Sequence, residues 1–481
     1  MAQKWAVRIT GLATIALLTR HVSPAEFGVV AAASAVTPFI LLLSDLGLST
    51  YLVQAENPDR RTVDTAFWLS AGIGVLLSAA LALGAPLVAL ALRVPAAAAP
   101  LRALSVSVLL AVLASVPVAL LRRRMAFKLI ALQGAAGAVL GQIAAIVIAL
   151  RGGGAWALIV QVIVSQAVVT TFAWVSARWR PSMSFDRSQV RTMTGFGVSV
   201  MSVELVSTAR ASAETVVVAV ALGAPALGYL NVAQRLVQVV QDLGATAVVP
   251  VSTVVFAKVR DSVVRLRSAY LRSLRLSYVA VAPLLVLVAV GAPLLIPVLF
   301  GPGWAPSVPV ARGLAVAGVL TLGAMVDHGL FYGVGAPGTW FWYAVVVDAV
   351  TLGTTAVLAP HGLVAVAWGF VCVALLATIA RWFLVARLIG IEPLRVARPF
   401  GSASVLVVVG GLAGLAALYL TTGLPALVSL VVVGLAVAVV HVLATRVVCP
   451  AVLRDALVLA PIPGRVARQL ARFAGVTPAE R

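Results

Sequence analysis

Apolar residues along this chain form long runs of helical length, and short gaps between the runs carry most of the charged residues. A hydrocarbon core of about 30 Å needs roughly 20 apolar residues per crossing helix, and these runs contain Gly and Pro, as membrane helices do. The pattern therefore predicts an all-α polytopic membrane protein. We predict fourteen spans, at 3–19, 27–54, 65–92, 103–121, 128–150, 154–176, 194–222, 225–257, 276–299, 308–333, 338–358, 362–386, 400–421 and 424–445.

The basic residues alternate between the gaps. We count Lys4, Arg8, Lys128 and Arg312, which lie near the ends of spans, with the neighbouring gaps. Of the 35 Lys and Arg residues, 27 then lie in one alternate set of gaps, 5 lie in the other set, and 3 lie within spans. Cytoplasmic loops are enriched in Lys and Arg. The alternation predicts that both termini are cytoplasmic and favours an even number of spans.

Composition excludes several classes of function. The chain is 62% hydrophobic and 10% charged, whereas a soluble domain carries about 25% charged residues. The net charge of +20 does not predict nucleic-acid binding, because the basic residues flank helix ends, where topology and anionic membrane lipids account for them. Cys372 and Cys449 lack the spacing of a metal or redox site. We expect no metal and no cofactor.

The gaps on the predicted outer face are short, and Glu26 is their only acid. A membrane polymerase or ligase needs carboxylates or His residues held over the membrane, with a domain or loop that shapes the site. The sequence therefore predicts that the protein is not an enzyme.

Two polar gaps, 176–194 and 258–275, are longer than the rest, and the first divides six spans from eight. We predict a six-helix bundle at 1–180, a cytoplasmic linker at 181–193, a second six-helix bundle at 194–390, two appended helices at 391–446 and a cytoplasmic tail at 447–481. The second gap alternates Arg with apolar residues. It predicts either an amphipathic helix on the inner leaflet or a solvated linker that sets topology.

A weak internal echo links the two halves, as in transporters built from repeats. Pro24, Gly28 and the tripeptide 45–47 (Asp-Leu-Gly) resemble Pro225, Gly228 and the tripeptide 242–244 (Asp-Leu-Gly). We infer an internal repeat.

Several charged residues fall inside the predicted spans. Each costs about 2.5 to 3.5 kcal/mol on insertion scales, so they must face water, one another or a ligand. They are Asp45, Glu204, Arg210, Glu214, Arg235, Asp242, Asp327, Asp348 and Arg381.

Span 8 carries one polar stripe, because four polar residues follow the spacing i, i+4, i+7 and i+11. Such a stripe lines either a hydrated cavity or a tight helix contact, and the number of polar groups favours a cavity. The stripe consists of Asn231, Arg235, Gln238 and Asp242, with Gln234 and Gln241 beside it.

The remaining intramembrane charges allow more than one role. Arg210 and Glu214 are at i and i+4, so they form either an intrahelical ion pair or a substrate contact. Asp45 has no charged neighbour in its own helix and needs water or a partner elsewhere. Arg8 lies inside the short first span. It is near the cytoplasmic interface or, as we expect, deeper because the natural start lies upstream of Met1.

A carboxylate beside a His inside a membrane can bind a proton or cation that drives transport. Asp327 and His328 are adjacent, and Asp348 lies in the following span. These three residues are candidates for ion coupling, although a His beside an Asp is more often a hydrogen-bonded packing feature.

The order of short motifs resembles the polysaccharide-transport branch of the multidrug/oligosaccharidyl-lipid/polysaccharide flippase (MOP) superfamily, the Wzx-like flippases. The matching segments are Leu18-Thr19-Arg20, Ser23-Pro24-Ala25-Glu26-Phe27-Gly28, Asp45-Leu46-Gly47, Leu222-Gly223, Leu227-Gly228-Tyr229, Ala233-Gln234-Arg235-Leu236, the basic stretch up to Tyr270, and Phe300-Gly301-Pro302-Gly303-Trp304.

The resemblance implies two six-helix bundles around a central cavity, two appended helices and alternating access. It also implies an undecaprenyl-pyrophosphate-linked oligosaccharide as substrate, moved to the outer leaflet of a bacterial plasma membrane, with a polysaccharide polymerase and glycosyltransferases as partners. We expect a monomer. The alternative from the same superfamily is an ion-coupled multidrug and toxin exporter.

The chemistry of the substrate points to particular residues. Arginine holds a pyrophosphate by charge and paired hydrogen bonds, so Arg210 and Arg235 are the leading candidates, followed by Arg8 and Arg381. We expect Asn231, Gln234, Gln238 and Gln241 to bind sugar hydroxyls, with Asp45, Glu214 and Asp242 completing the site.

Overall fold

The computed structural model describes residues 2–56 and 58–450, with side chains outside 2–9, 198–204, 207, 243, 245–247 and 249–251. Within these residues the chain forms α-helices and short 3-10 turns, without a strand. The helices are α1 (Ala2–Leu18), α2 (Pro24–Asp45), α3 (Leu48–Gln54), α4 (Arg60–Ala91), α5 (Ala98–Arg123), α6 (Phe127–Leu150), α7 (Trp156–Ala177), α8 (Arg187–Val259), α9 (Val263–Phe300), α10 (Ser307–Thr321), α11 (Gly323–Gly333), α12 (Pro337–Leu358), α13 (Leu363–Ile389), α14 (Pro393–Leu420) and α15 (Ala426–Val448).

The prediction of an all-α polytopic membrane protein is confirmed, and the number of spans is close to the one predicted. Twelve stretches of the described chain are long and apolar enough to cross a membrane, against fourteen predicted. Two features account for the difference. Helix α1, predicted span 1, has 17 residues, near the lower limit for a crossing. Helix α8 contains predicted spans 7 and 8 in one element of 73 residues.

Helix α8 is divided at Gly223. An unbroken helix of this length would be about 110 Å long, more than three times the thickness of a hydrocarbon core. The backbone leaves the helical region at Gly223, with φ 78° and ψ 178°, which glycine adopts because it lacks a Cβ. The two arms, 187–222 and 224–259, correspond to predicted spans 7 and 8.

The chain divides into two compact units. Unit 1 comprises Met1–Asn231, Leu299–Gly303 and Thr355–Gly362; unit 2 comprises Val232–Val298, Trp304–Thr354 and Leu363–Arg481. In unit 1, α5 packs against α4 and α7 and is the most buried of the candidate spans. Helices α6 and α7 approach closely because Gly137 and Gly141 face the backbone oxygens of Ser165 and Gln161, as small residues do in membrane helix pairs. The domain limits inferred from sequence stay a prediction.

The two segments of the sequence echo contact each other near the start of α2, within unit 1. A Cβ placed on Gly28 would lie 1.7 Å from the carbonyl oxygen of Ala224, and one placed on Gly228 would lie 2.2 Å from that of Pro24. The contacts are therefore reciprocal, as expected where two related segments cross about a local two-fold axis. The inferred internal repeat stays a prediction.

Helix α2 also approaches the first arm of α8 at its other end. Leu46 and Gly47 both have positive φ, 46° and 69°, and separate α2 from α3. A Cβ on Gly197 would lie 1.8 Å from the carbonyl oxygen of Leu46. Between the two ends, the Ser212 hydroxyl donates to the carbonyl oxygen of Ala35 at 2.7 Å. Glycines and small residues thus allow backbone contact along α2.

The polar segment between α7 and α8 is bound to the beginning of α4. The buried carboxylate of Asp64 accepts hydrogen bonds from the hydroxyls of Ser182 and Ser184. Asp186, just before α8, accepts from the hydroxyl and N–H of Ser188, and these bonds hold the pKa of Asp186 below its usual range. Residues 182–184 of the predicted linker are therefore hydrogen-bonded to α4 of unit 1.

Two arginines from the predicted cytoplasmic gaps cap the carboxyl ends of neighbouring helices. Arg123 donates to the carbonyl oxygens of Leu52, Ala55 and Glu56, at the end of α3. Arg124 donates to that of Ala177 at 2.7 Å, at the end of α7. Cations at helix carboxyl ends are stabilised by unpaired carbonyls and the helix dipole. The ends of α3, α5 and α7 therefore lie at one end of unit 1, as the charge alternation predicts.

In unit 2, α10 packs on α13, and α14 packs on α15. Helix α9 contains Pro283, which lacks the N–H that would bond to the carbonyl of Val279 four residues earlier. His441 of α15 lies 3.0 Å from that carbonyl oxygen through its Nε2. The imidazole of His441 thus donates to a carbonyl that Pro283 leaves unpaired within its helix.

The basic segment 258–275 is mostly the beginning of α9. Its apolar residues Leu266, Tyr270 and Leu274 recur every four positions and are buried. Arg267 donates to the carbonyl oxygens of Ile389 and Gly390, at the end of α13. Protein, rather than the inner leaflet, therefore covers this apolar face.

Candidate transport site

The polar stripe of predicted span 8 lies on the second arm of α8. Arg235 and Gln238 are exposed, and Asn231 is half-buried. The neighbouring residues Leu236 and Val237 are buried, with 6% and 4% of their surface exposed. The helix therefore buries its apolar side in the protein and leaves the side chains of Arg235 and Gln238 exposed.

Asp242 of the stripe and the two amides beside it are less exposed than Arg235. Gln234, Gln241 and Asp242 are half-buried. The amide nitrogen of Gln241 would lie 3.2 Å from a Cβ on Gly318, so the missing side chain of that glycine leaves room for the amide. The stripe thus combines an exposed cation with half-buried polar groups.

Arg210 and Glu214 form an ion pair within the first arm of α8. Arg210 Nη1 donates to Glu214 Oε2 at 2.9 Å, and the side chains are 31% and 11% exposed. This geometry is that of the predicted intrahelical ion pair. About a third of the Arg210 side chain is still exposed. A substrate contact by either residue stays a prediction.

Asp45 is the last residue of α2, where the helix breaks, and it lines a cavity of about 260 Å³ inside unit 1. The Ser49 hydroxyl donates to Asp45 Oδ2 at 2.7 Å, whereas Oδ1 is buried and accepts no hydrogen bond from the protein atoms described. Arg122 and Gln166 line the same cavity. The sequence analysis missed these three neighbours of Asp45, because Arg122 counted as a topogenic charge and Ser49 and Gln166 are common polar residues of membrane helices.

Asp327 lies in a closed hydrogen-bond network in unit 2. Its Oδ2 accepts from Arg381 Nη1 at 2.5 Å, its Oδ1 accepts from the Tyr270 hydroxyl at 2.6 Å, and both partners of the ion pair are 3% exposed. Arg381 also donates to Thr378 and to the carbonyl oxygen of Leu320. Both oxygens of Asp327 are thus engaged, and the Arg381 guanidinium has no surface for a pyrophosphate.

Of the other predicted ion-coupling residues, His328 contacts aromatic rings. His328 stacks on Tyr332, with ring centroids 4.3 Å apart, and meets the edge of Trp340 at 5.9 Å. Asp348 is half-buried on α12. Arg8 lies outside the residues whose side chains are described. The ion-coupling role of His328 and Asp348 and the substrate contact of Arg8 stay predictions.

The fold is of the class seen in two solved membrane transporters. The solved structure of the lipid II flippase MurJ in an inward closed conformation matches with a TM-score of 0.74, covering 92% of this chain and 98% of that one at 15% identity. An inward-facing multidrug resistance MATE transporter of the MOP superfamily matches with a TM-score of 0.64, covering 80% and 98% of the two chains at 17% identity.

Within that class, the chain belongs to the polysaccharide biosynthesis protein family, whose model matches residues 17–309. The succinoglycan biosynthesis transport protein ExoT of Rhizobium meliloti is 30% identical over 75% of this chain and 73% of its own length. The lipopolysaccharide biosynthesis protein WzxC of Escherichia coli is 25% identical over 64% and 63% of the two chains. The predicted family is confirmed: this is a multi-pass bacterial membrane transporter of polysaccharide biosynthesis.

Proposed function

We propose that this protein moves an undecaprenyl-pyrophosphate-linked oligosaccharide from the inner to the outer leaflet of the plasma membrane, for export of a cell-surface polysaccharide. A sugar headgroup is strongly hydrated and needs a polar path across hydrocarbon, while the prenyl tail stays in lipid. Family membership and the relatives in succinoglycan and lipopolysaccharide biosynthesis support this substrate class.

The observation that carries the proposal is the exposed Arg235 within the polar stripe of a membrane helix. A charged side chain exposed to lipid would cost about 2.5 to 3.5 kcal/mol or more. Arg235 avoids that cost if the polar stripe faces water. A hydrated surface with a guanidinium and several amides has the chemistry that a glycosyl pyrophosphate requires.

In this proposal Arg235 binds the pyrophosphate through paired, charge-assisted hydrogen bonds. The neighbouring amides exchange hydrogen bonds with sugar hydroxyls, and Arg210 assists when it leaves its pairing with Glu214. No covalent bond changes during the movement, so the residues act by binding alone. Alternating access then exposes the stripe first to the cytoplasm and then to the outside.

The cellular setting follows from the same proposal. Both termini lie in the cytoplasm, so the proposed entry of the glycolipid is beside the enzymes that assemble it there. The protein acts as a monomer and hands its cargo to a polysaccharide polymerase. Anionic lipids of the inner leaflet contact the arginines at the helix ends.

Replacement of Arg235 tests the proposal in cells that require this chain for surface polysaccharide. Arg235→Ala is expected to abolish export and to leave lipid-linked oligosaccharide on the inner leaflet, at unchanged protein level. Arg235→Lys keeps the charge without the planar fork and should restore export only in part. The assay measures surface polysaccharide and the leaflet of the glycolipid.

Arg275→Ala is the matched control, because this exposed arginine lies at the beginning of α9, away from the stripe. Its export should equal that of the unaltered chain. Normal export by Arg235→Ala would contradict the site. Increased sensitivity to cationic drugs with normal glycolipid distribution would favour the multidrug exporter instead.

A further inference from the structure

The break between α2 and α3 places an acid inside unit 1. Two consecutive residues with positive φ, Leu46 and Gly47, end α2 directly after Asp45. Transporters commonly place ion sites where a membrane helix is interrupted, because the carboxyl end of the first half carries unpaired carbonyls and a partial negative charge. The break thus sets the Asp45 carboxylate in an environment that favours positive charge.

The two oxygens of this carboxylate differ. Oδ2 accepts a hydrogen bond from Ser49 at 2.7 Å. Oδ1 is buried and accepts none from the described protein atoms. An unpaired, buried carboxylate oxygen is costly while it is ionised, and protonation lowers that cost because it removes the charge. Oδ1 is therefore the atom on which a proton would reside.

The dimensions of the cavity select a small ligand. Its volume of about 260 Å³ is below the roughly 300 to 1,000 Å³ of small-molecule sites, and an oligosaccharide pyrophosphate needs at least that range. Along α5 the lining extends from Ala111 to Arg122, about 16 Å at 1.5 Å per residue. The cavity thus extends along α5 over about half the thickness of a 30 Å hydrocarbon core.

The charges around Asp45 favour a proton over a metal cation. Within the described lining, α5 contributes Arg122, α3 contributes Ser49, and α7 contributes Gln166. Helix α4 and the first arm of α8, which also pack on α2, contribute no residue to it. Asp45 is the one carboxylate of this described lining, whereas a metal cation such as Ca²⁺ or Mg²⁺ takes about six or more oxygen ligands. A proton needs one oxygen.

Asp327, an acid that the sequence predicts for ion coupling, already has its partners. It is paired with Arg381 and accepts from Tyr270. Arg381 is a fixed residue of α13, so this partner does not exchange with solvent ions. Among the residues that the structure describes, Asp45 therefore has an oxygen available, whereas Asp327 does not.

We propose that Asp45 is a reversible proton-binding site, reached from the Arg122 end of this cavity. A proton from water forms an O–H bond with Oδ1, converting the carboxylate to a neutral carboxylic acid, and leaves by the same path. This site goes beyond the proposed function, since it concerns the ion that drives transport and does not depend on the transported lipid.

Infrared difference spectroscopy during a pH titration tests the site on the full-length chain in liposomes without glycolipid. The unaltered protein should show a carboxylic-acid C=O band that disappears as the pH rises. Asp45→Asn should lose this band and still elute as a folded protein in size-exclusion chromatography. Arg122→Gln should move the disappearance to higher pH, because the positive charge that favours the carboxylate is removed.

Ser115→Ala is the control within the cavity, since Ser115 lines it but donates to the carbonyl oxygen of Val112. It should keep the band at its original pH. A spectrum of Asp45→Asn identical to that of the unaltered protein would overturn the proposal. So would a band that Arg122→Gln leaves at the same pH. Because no glycolipid is present, either result is independent of the Arg235 export test.

Discussion

At the residue scale, many polar side chains inside this membrane protein satisfy backbone groups that no helix can satisfy itself. Arg123 and Arg267 cap the last carbonyls of α3 and α13, and His441 bonds to the carbonyl that Pro283 leaves unpaired. An unsatisfied backbone group is especially costly where water is absent. Arginines whose distribution predicts the topology thus also donate hydrogen bonds to carbonyl groups at helix ends.

His441 and Pro283 should be energetically coupled. His441→Ala is expected to destabilise the protein by about 1 to 3 kcal/mol, because the Val279 carbonyl then loses its donor. Pro283→Ala restores a backbone N–H to that carbonyl, so the same His441→Ala change should cost less in that background. Apparent free energies of unfolding of the two single variants and the double variant measure the coupling. Purely additive values would show that the two residues act separately.

At the element scale, α2 is the helix that positions Asp45 and contacts α8 through backbone atoms. Gly28 of α2, Gly47 of the break after it, and Gly197 and Gly228 of α8 allow these contacts. The sequence showed Pro24, Gly28 and the 45–47 tripeptide as an echo, but not that the echoed segments meet. Contact between segments about 200 residues apart depends on how the helices pack.

Gly28 should tolerate no side chain. Gly28→Ala places a Cβ 1.7 Å from the Ala224 carbonyl oxygen, so α2 and the segment after Gly223 must separate. We expect a loss of about 2 kcal/mol or more, in the range of overpacked cores, measured as a lower apparent Tm. Gly72→Ala on α4 is the control, because no atom lies within 4 Å of its added Cβ. A Tm of Gly28→Ala equal to that of this control would refute the contact.

At the scale of the whole molecule, the chain is a member of the polysaccharide biosynthesis protein family with two compact units. The distribution of Lys and Arg predicts the direction in which it is inserted, with both termini in the cytoplasm. Charge asymmetry acts during insertion, before the helices pack, and therefore follows from the sequence alone.

The two native cysteines allow a test of this orientation. Cys449 directly follows α15, whereas Cys372 lies within α13. A membrane-impermeant maleimide should label Cys449 in inside-out vesicles and not in right-side-out vesicles. Cys449→Ser should remove the label, which separates this signal from Cys372. Labelling in right-side-out vesicles would reverse the predicted topology.

The sequence alone determined the class of protein, the approximate spans, the family and the polar stripe around Arg235. These features depend on local composition, helical period and motif order, which need no knowledge of distant contacts. The tertiary structure decided which charges are partners. Asp327 pairs with Arg381 across 54 residues, and Asp45 shares a cavity with Arg122 of α5 and Gln166 of α7. Desolvation and hydrogen bonding depend on neighbours that are distant in the sequence. Only the packing therefore shows that Asp327 has partners on both oxygens, whereas Asp45 Oδ1 has none among the described residues.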